Sequence, residues 1–189
     1  ELTHTTPLAR AREAAGRGEW QQAFDLLIDT DAITPLDGPD LALLAGVAYA
    51  AGHLDVTISA WERAHARSVD AGDHLSAAGA AVRVAMHLLF DTALMAPVRG
   101  WIKRAERLLE GHDETPVHAW LGVVHNYERL LSGDFEAARR WARHAIDVGA
   151  RCAPAAAAIA RVAEARSLIL EGEVERGLEL LDEAGVAAV

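Results

Sequence analysis

The chain has 189 residues, 51% hydrophobic and 24% charged, with a formal net charge of −10. That length suits one compact domain or one short repeat array, and the acidic balance argues against direct nucleic-acid contact, which needs a basic face. No apolar run reaches the length of a membrane span and no signal peptide opens the chain; the single Cys152 excludes an internal disulfide and fits a reducing cytoplasm.

Alanine is abundant, and the β-branched and aromatic enrichment of strands is missing, so the chain is expected to be all-α. The first helix opens with Thr6 as N-cap and Pro7 at the first helical position. GRGEWQQAFDLLIDT is its partner. The 29–38 segment DTDAITPLDG is the loosest link. Pro39 repeats the proline start in GPDLALLAGVAYAAG, which pairs with AAGHLDVTISAWERA. GDHLSAAGAAVRVAMHLLFD and ALMAPVRGWIKRA form a third pair, ETPVHAWLGVVHNYERLLSG and LSGDFEAARRWARHAI a fourth. APAAAAIARVAEARSLILEG, with Pro154 near its start, and LEGEVERGLELLDEA form the fifth. Ten helices in five antiparallel pairs, joined by short links, account for nearly every residue.

One phrase recurs through these stretches. It starts at Gly18, Gly52, Gly133 and Gly172, with a degenerate copy at Ala93, so the spacings are 34, 41, 40 and 39. Such a period signals a helix-pair array. Glycine ends the first helix of a pair because it tolerates the left-handed conformation. Glu19, Asp134 or Glu173 then meets the positive end of the next helix dipole. A large apolar residue (Trp20, Leu54, Met95, Phe135 or Val174) is expected to plug the gap between the helices. Small residues three later (Ala23, Thr57, Ala138, Gly177) let the helices approach. A second small residue follows at Ala64, Ala105, Ala145 and Ala184, with Thr30 in the first copy.

Gly133, Asp134, Phe135, Ala138 and Ala145 resemble the second half of a tetratricopeptide repeat (TPR), as do Gly18, Trp20, Ala23 and Leu27, and Gly172, Glu173, Val174, Leu181 and Ala184. The resemblance implies a right-handed α-solenoid of about five helix pairs spanning residues 1–189 as a single domain. The phrases AGDHLSAAGAAVRVA, WIKRAERLLEG and GLELLDEA resemble the helical arrays of actinobacterial LuxR-type transcription regulators. Seventeen arginines against one lysine, Lys103, agree with a GC-rich source. That resemblance implies a regulatory segment of a longer protein, with DNA binding in a helix-turn-helix elsewhere. The start at Glu1 and the end in GVAAV fit a fragment. No phosphate-loop motif is present.

No catalytic, cofactor or metal motif appears: there is no H-E-x-x-H, G-x-S-x-G or C-x-x-C. Non-enzymatic action is expected. His118, His125 and Arg129 share one face of a first helix; Arg83, His87 and Asp91 form a similar stripe one repeat earlier, and Arg161 with Glu164 one repeat later. Together with Trp120 they are the candidates for a polar groove that binds an acidic peptide or a small polar ligand. Trp20, Trp61, Trp101 and Trp141, at intervals of 41, 40 and 40, are expected to plug the core. The leading expectation is an interaction module that binds a protein or self-associates, with further repeats or a second copy covering the last pair. The alternatives are an inducer-binding sensor and a free-standing adaptor.

Overall fold

The computed structural model describes residues 6–186. Among them are ten α-helices: α1 Pro7–Gly16, α2 Trp20–Ile33, α3 Gly38–Ala50, α4 Leu54–Asp70, α5 His74–His87, α6 Met95–Leu109, α7 Pro116–Leu131, α8 Phe135–Cys152, α9 Pro154–Leu170 and α10 Val174–Val186. A five-residue π-helical turn, Leu88–Thr92, follows α5. No strand is present among the described residues. Residues 1–84 and 85–189 form two compact units, divided inside α5.

In the first unit α1 packs on α2, α2 on α3 and α3 on α4. Thr6 accepts a hydrogen bond from the Ala9 N–H at 3.2 Å, and Pro7 sits in the first turn. The core gathers Ala11, Ala14, Leu27, Leu41 and Leu44. Each buried leucine stabilises by about 1.5–3 kcal/mol. The 29–38 link, expected to be the loosest, is tied down. Asp31 accepts from the Leu36 N–H at 2.7 Å and from both arms of Arg63 on α4, at 2.6 and 2.8 Å. That contact holds its carboxyl below the usual carboxylate range.

In the second unit α6 packs on the π turn and on α7, α7 on α8 and α9, α8 on α9, and α9 on α10. Helix α7 is central, and Leu121 to Asn126 are all buried. Glycines let these helices approach. A Cβ added at Gly149 on α8 would lie 2.9 Å from the Ala157 nitrogen on α9, closer than real Cβ atoms come.

The repeated phrase is legible in the backbone. Gly18, Gly52, Gly133 and Gly172 all have positive φ, from 75° to 92°. At each, the glycine N–H and the next N–H reach back to carbonyls of the closing helix, as Gly133 to Leu130 and Asp134 to Arg129. Gly72, outside the expected series, closes α4 in the same way. Ala93 takes the left-handed conformation without being glycine, at φ 55°. Among the phrase acids, Asp134 accepts the Ala137 N–H at 3.1 Å. Glu19 instead binds Arg17.

The expected plug is corrected. Trp20 and Val174 are 42% and 46% exposed, whereas Ala23, Thr57 and Ala138 are wholly buried. Leu54, Met95 and Phe135 are half-buried, so the small positions, not the large ones, are the fully buried part of the contact. Trp61, Trp101 and Trp141 are half-buried. In the pair α3–α4, Thr57 donates to the Ala45 carbonyl at 3.3 Å; at the matching positions of α7–α8, Asn126 donates to the Ala138 carbonyl at 2.7 Å.

Candidate functional site

The first helices of the second unit carry a line of side chains open to solvent. The π turn after α5 adds one residue to the hydrogen-bonded loop, which rotates the chain beyond it. Thr92 donates to the Leu88 carbonyl at 2.6 Å, and Ala93 then turns left-handed to start α6. A non-glycine residue in that conformation costs about 1–2 kcal/mol. Phe90, on this turn, is 50% exposed. Its ring meets Tyr127 of α7 edge-on, with centroids 4.9 Å apart. The guanidinium of Arg166 on α9 stands 6.0 Å from the same tyrosine ring. Ile159 and Val162 share that face of α9, at 38% and 37% exposure. A ring edge, a ring face and a cation thus lie side by side, with apolar surface next to them. This arrangement suits an apolar side chain next to a carboxylate.

Behind the line, α7 buries polar groups. Glu128 is 1% exposed and accepts from Arg99 Nε of α6 at 2.7 Å; Arg129 Nε lies 3.1 Å from its other oxygen. The Ser132 hydroxyl stands 3.3 Å from the carboxylate. Asn126 is fully buried, and its Oδ1 finds no hydrogen-bond partner among the described residues.

The residues singled out by sequence spacing occupy several different settings. Arg83, in the first unit, is exposed, with its guanidinium 5.9 Å from the Trp61 ring. His87 and Asp91 are brought together, Nδ1 to Oδ2, at 3.0 Å. His118 closes the capping box of α7, its Nδ1 accepting the Thr115 N–H at 3.0 Å. His125 is 7% exposed, stacked flat on Trp141 of α8 at 3.9 Å, with Nε2 2.8 Å from Glu106 Oε1. Burial pushes both imidazoles below the usual histidine value, against the opposing charge of Glu106 at His125 and Glu114 at His118. Arg129 is held by Glu128, and Glu164 accepts from Arg143 of α8 at 3.2 Å. Trp120 packs half-buried against the α7–α9 core, and Arg161 is half-buried on α9. His125 therefore faces α6 and α8, while Tyr127, two residues past it, faces the open side. Phe90, Tyr127, Arg166 and Glu128 are not among the sequence candidates. For the first three, the usable signal was an aromatic or arginine on each of three successive first helices.

Among the described residues no group of three or more His, Cys, Asp and Glu side chains could hold a metal ion. No helix among them is long and apolar enough to cross a membrane.

Neither a family model nor a curated protein matches the chain. Solved structures do. TPR-like repeats assigned to a kinesin light chain of Podosopora anserina, in two crystal structures, align with TM-scores of 0.68 and 0.66 at 16% identity. Both cover 95% of this chain and 92% of that one. A thermophilic TPR protein of Thermus thermophilus aligns at 0.60 with 18% identity, covering 94% of this chain and 88% of its own. The fold is therefore an all-α solenoid of TPR-like helical repeats.

Proposed function

We propose that the chain is a non-enzymatic protein-interaction and regulatory module, acting in the cytoplasm, that holds its partner on the first-helix face of its second unit. The observation that carries this reading is the line Phe90–Tyr127–Arg166. Tyrosine and arginine are enriched among the few residues that carry most of the binding energy at protein interfaces, and helical repeats offer extended surfaces to partners. The finer reading, that residues 1–189 form one domain of a LuxR-type regulator whose DNA-binding part lies elsewhere, is supported by the phrases AGDHLSAAGAAVRVA, WIKRAERLLEG and GLELLDEA. Sequencing the native gene on both sides tests it; absence of a helix-turn-helix would turn the reading to a free-standing adaptor. No observation favours the inducer-sensor alternative. The cavity of about 640 Å³ at the α9–α10 turn is a surface hollow lined by Gly172 to Arg176 and Glu179, all exposed.

The test places a photo-crosslinking residue at Phe90 in the native protein and identifies what it captures in cells. Tyr127→Ala and Arg166→Glu should each weaken binding of the captured protein by about tenfold or more, the size of an interface hot spot. Binding untouched by both variants would sink the proposal.

A further inference from the structure

The last helix pair leaves open a face that the pair before it buries. Gly133 and Gly172 hold the same place in the repeat, so the offset is 172 − 133 = 39. It matches Val123 to Val162, Ala145 to Ala184, Arg139 to Leu178 and Arg143 to Asp182. Val123 and Ala145 are 1% and 0% exposed because α9 lies across them, its Ala156 and Ala160 sharing their core. Their counterparts are open: Val162 is 37% exposed and Ala184 half-buried, with Leu178 at 51%. Of the apolar end Gly185–Val189, residues 187–189 lie outside the described residues.

Two ion pairs tie α9 and its C-cap residue to α8, Arg143 with Glu164 and Arg139 with Glu171. In α10 the first arginine is replaced by Asp182 and the second by Leu178. Glu175, Glu179 and Glu183 add exposed negative charge, and the nearby Arg176 is engaged by Glu173 at 3.1 Å.

We propose that this face docks a helix of a partner protein, packed as α9 packs on α8. The occupant carries small residues at the contact, a lysine or arginine where α9 has Glu164, and an apolar side chain where α9 has Glu171. What covers the same surface one pair earlier fixes the shape of the occupant, and the exchange of Arg143 for Asp182 fixes its charge. The inference rests on the reading of the chain as an interaction module and shares Val162 with that surface, but Leu178 and Asp182, which test it, lie outside it.

Two labelled peptides of residues 153–172 test it, one with the native sequence and one carrying Glu164→Lys, titrated into the whole protein by fluorescence anisotropy. The Glu164→Lys peptide should bind, about fivefold tighter than the native one, as expected for an exposed charge pair. Asp182→Lys in the protein should reverse that preference. Leu178→Asp, at an exposed position, should remove binding while circular dichroism stays unchanged. Tyr127→Ala should leave peptide binding intact, so the two readings fail separately. Absence of binding, equal binding of both peptides, or indifference to Leu178→Asp overturns the proposal. A dimer in sedimentation that Leu178→Asp dissolves also overturns it, in favour of a second copy.

Discussion

Both units bury leucine between their helices, but they differ in how closely their helical glycines are approached and in the polar groups they bury. Among the described residues of the first unit Leu27, Leu41 and Leu44 are essentially inaccessible, as Leu89 is in the second, and Thr57 is the buried polar side chain. Gly46, in the middle of α3, touches nothing that a methyl group would meet. From residue 85 onward, helices approach until Gly122 faces Ala145, Gly149 faces Ala157 and Gly177 faces the Ala165 carbonyl. His125, Asn126, Glu128 and Ser167 are buried there. A leucine-filled contact is damaged by removing atoms, a glycine-spaced one by adding them. The second also leaves its polar groups dependent on specific partners.

Deletion of a fully buried leucine should have the largest effect. Leu44→Ala is expected to cost about 2–5 kcal/mol in chemical denaturation, and a loss under 1 kcal/mol would contradict the leucine-core account. Next comes the buried carboxylate of the second unit. Arg99→Ala leaves Glu128 with Arg129 and Ser132 alone, and a loss of about 1–3 kcal/mol is expected; Arg99→Lys should restore only part of it, since Nε makes the bond.

Mild acid should separate the units further. His118 and His125 have folded pKa values depressed by burial, below an unfolded value of about 6.5. Their contribution is present above that pH and is lost as pH falls towards the folded values, because the unfolded chain takes protons first. Asp31 in the first unit is depressed through its bond to Arg63, so its contribution persists until pH falls below about 4. Hydrogen exchange at pH 7 and 5.5 should therefore show faster opening in α7 and α8 while α2 and α3 hold, and His125→Gln should shrink the difference. The smallest effect is expected at the π turn: Ala93→Gly removes a left-handed alanine and should raise stability by about 0.5–1 kcal/mol. A loss there would mean the conformation is not strained.

Much of this scaffold is readable from spacing. The closing glycines Gly18, Gly52, Gly133 and Gly172, and even the stand-in Ala93, lie where the phrase puts them, because a left-handed residue is a local demand that leaves a local mark. The open face is harder to read. Periodicity groups His118, His125 and Arg129 on one side of α7, but does not say where that side points. Helix α7 is packed by α6, α8 and α9 at once, so six consecutive residues from Leu121 are buried and no apolar stripe marks the inside. The partners of Glu128 and His125, Arg99 and Trp141, lie far off in sequence. The plug reading of Trp20 failed for a related reason: apolar character does not distinguish a core position from a half-exposed helix start.

The contrast between the units is tested most directly by one pair of substitutions, Gly46→Ala in α3 and Gly149→Ala in α8, compared by chemical denaturation. Both exchange a helical glycine for a better helix former. The account predicts that Gly46→Ala gains about 0.5–1 kcal/mol from propensity alone, whereas Gly149→Ala loses about 1–3 kcal/mol as the new methyl group drives α8 from the Ala157 backbone. A gain at both sites would contradict the claim that glycine sets the helix spacing of the second unit.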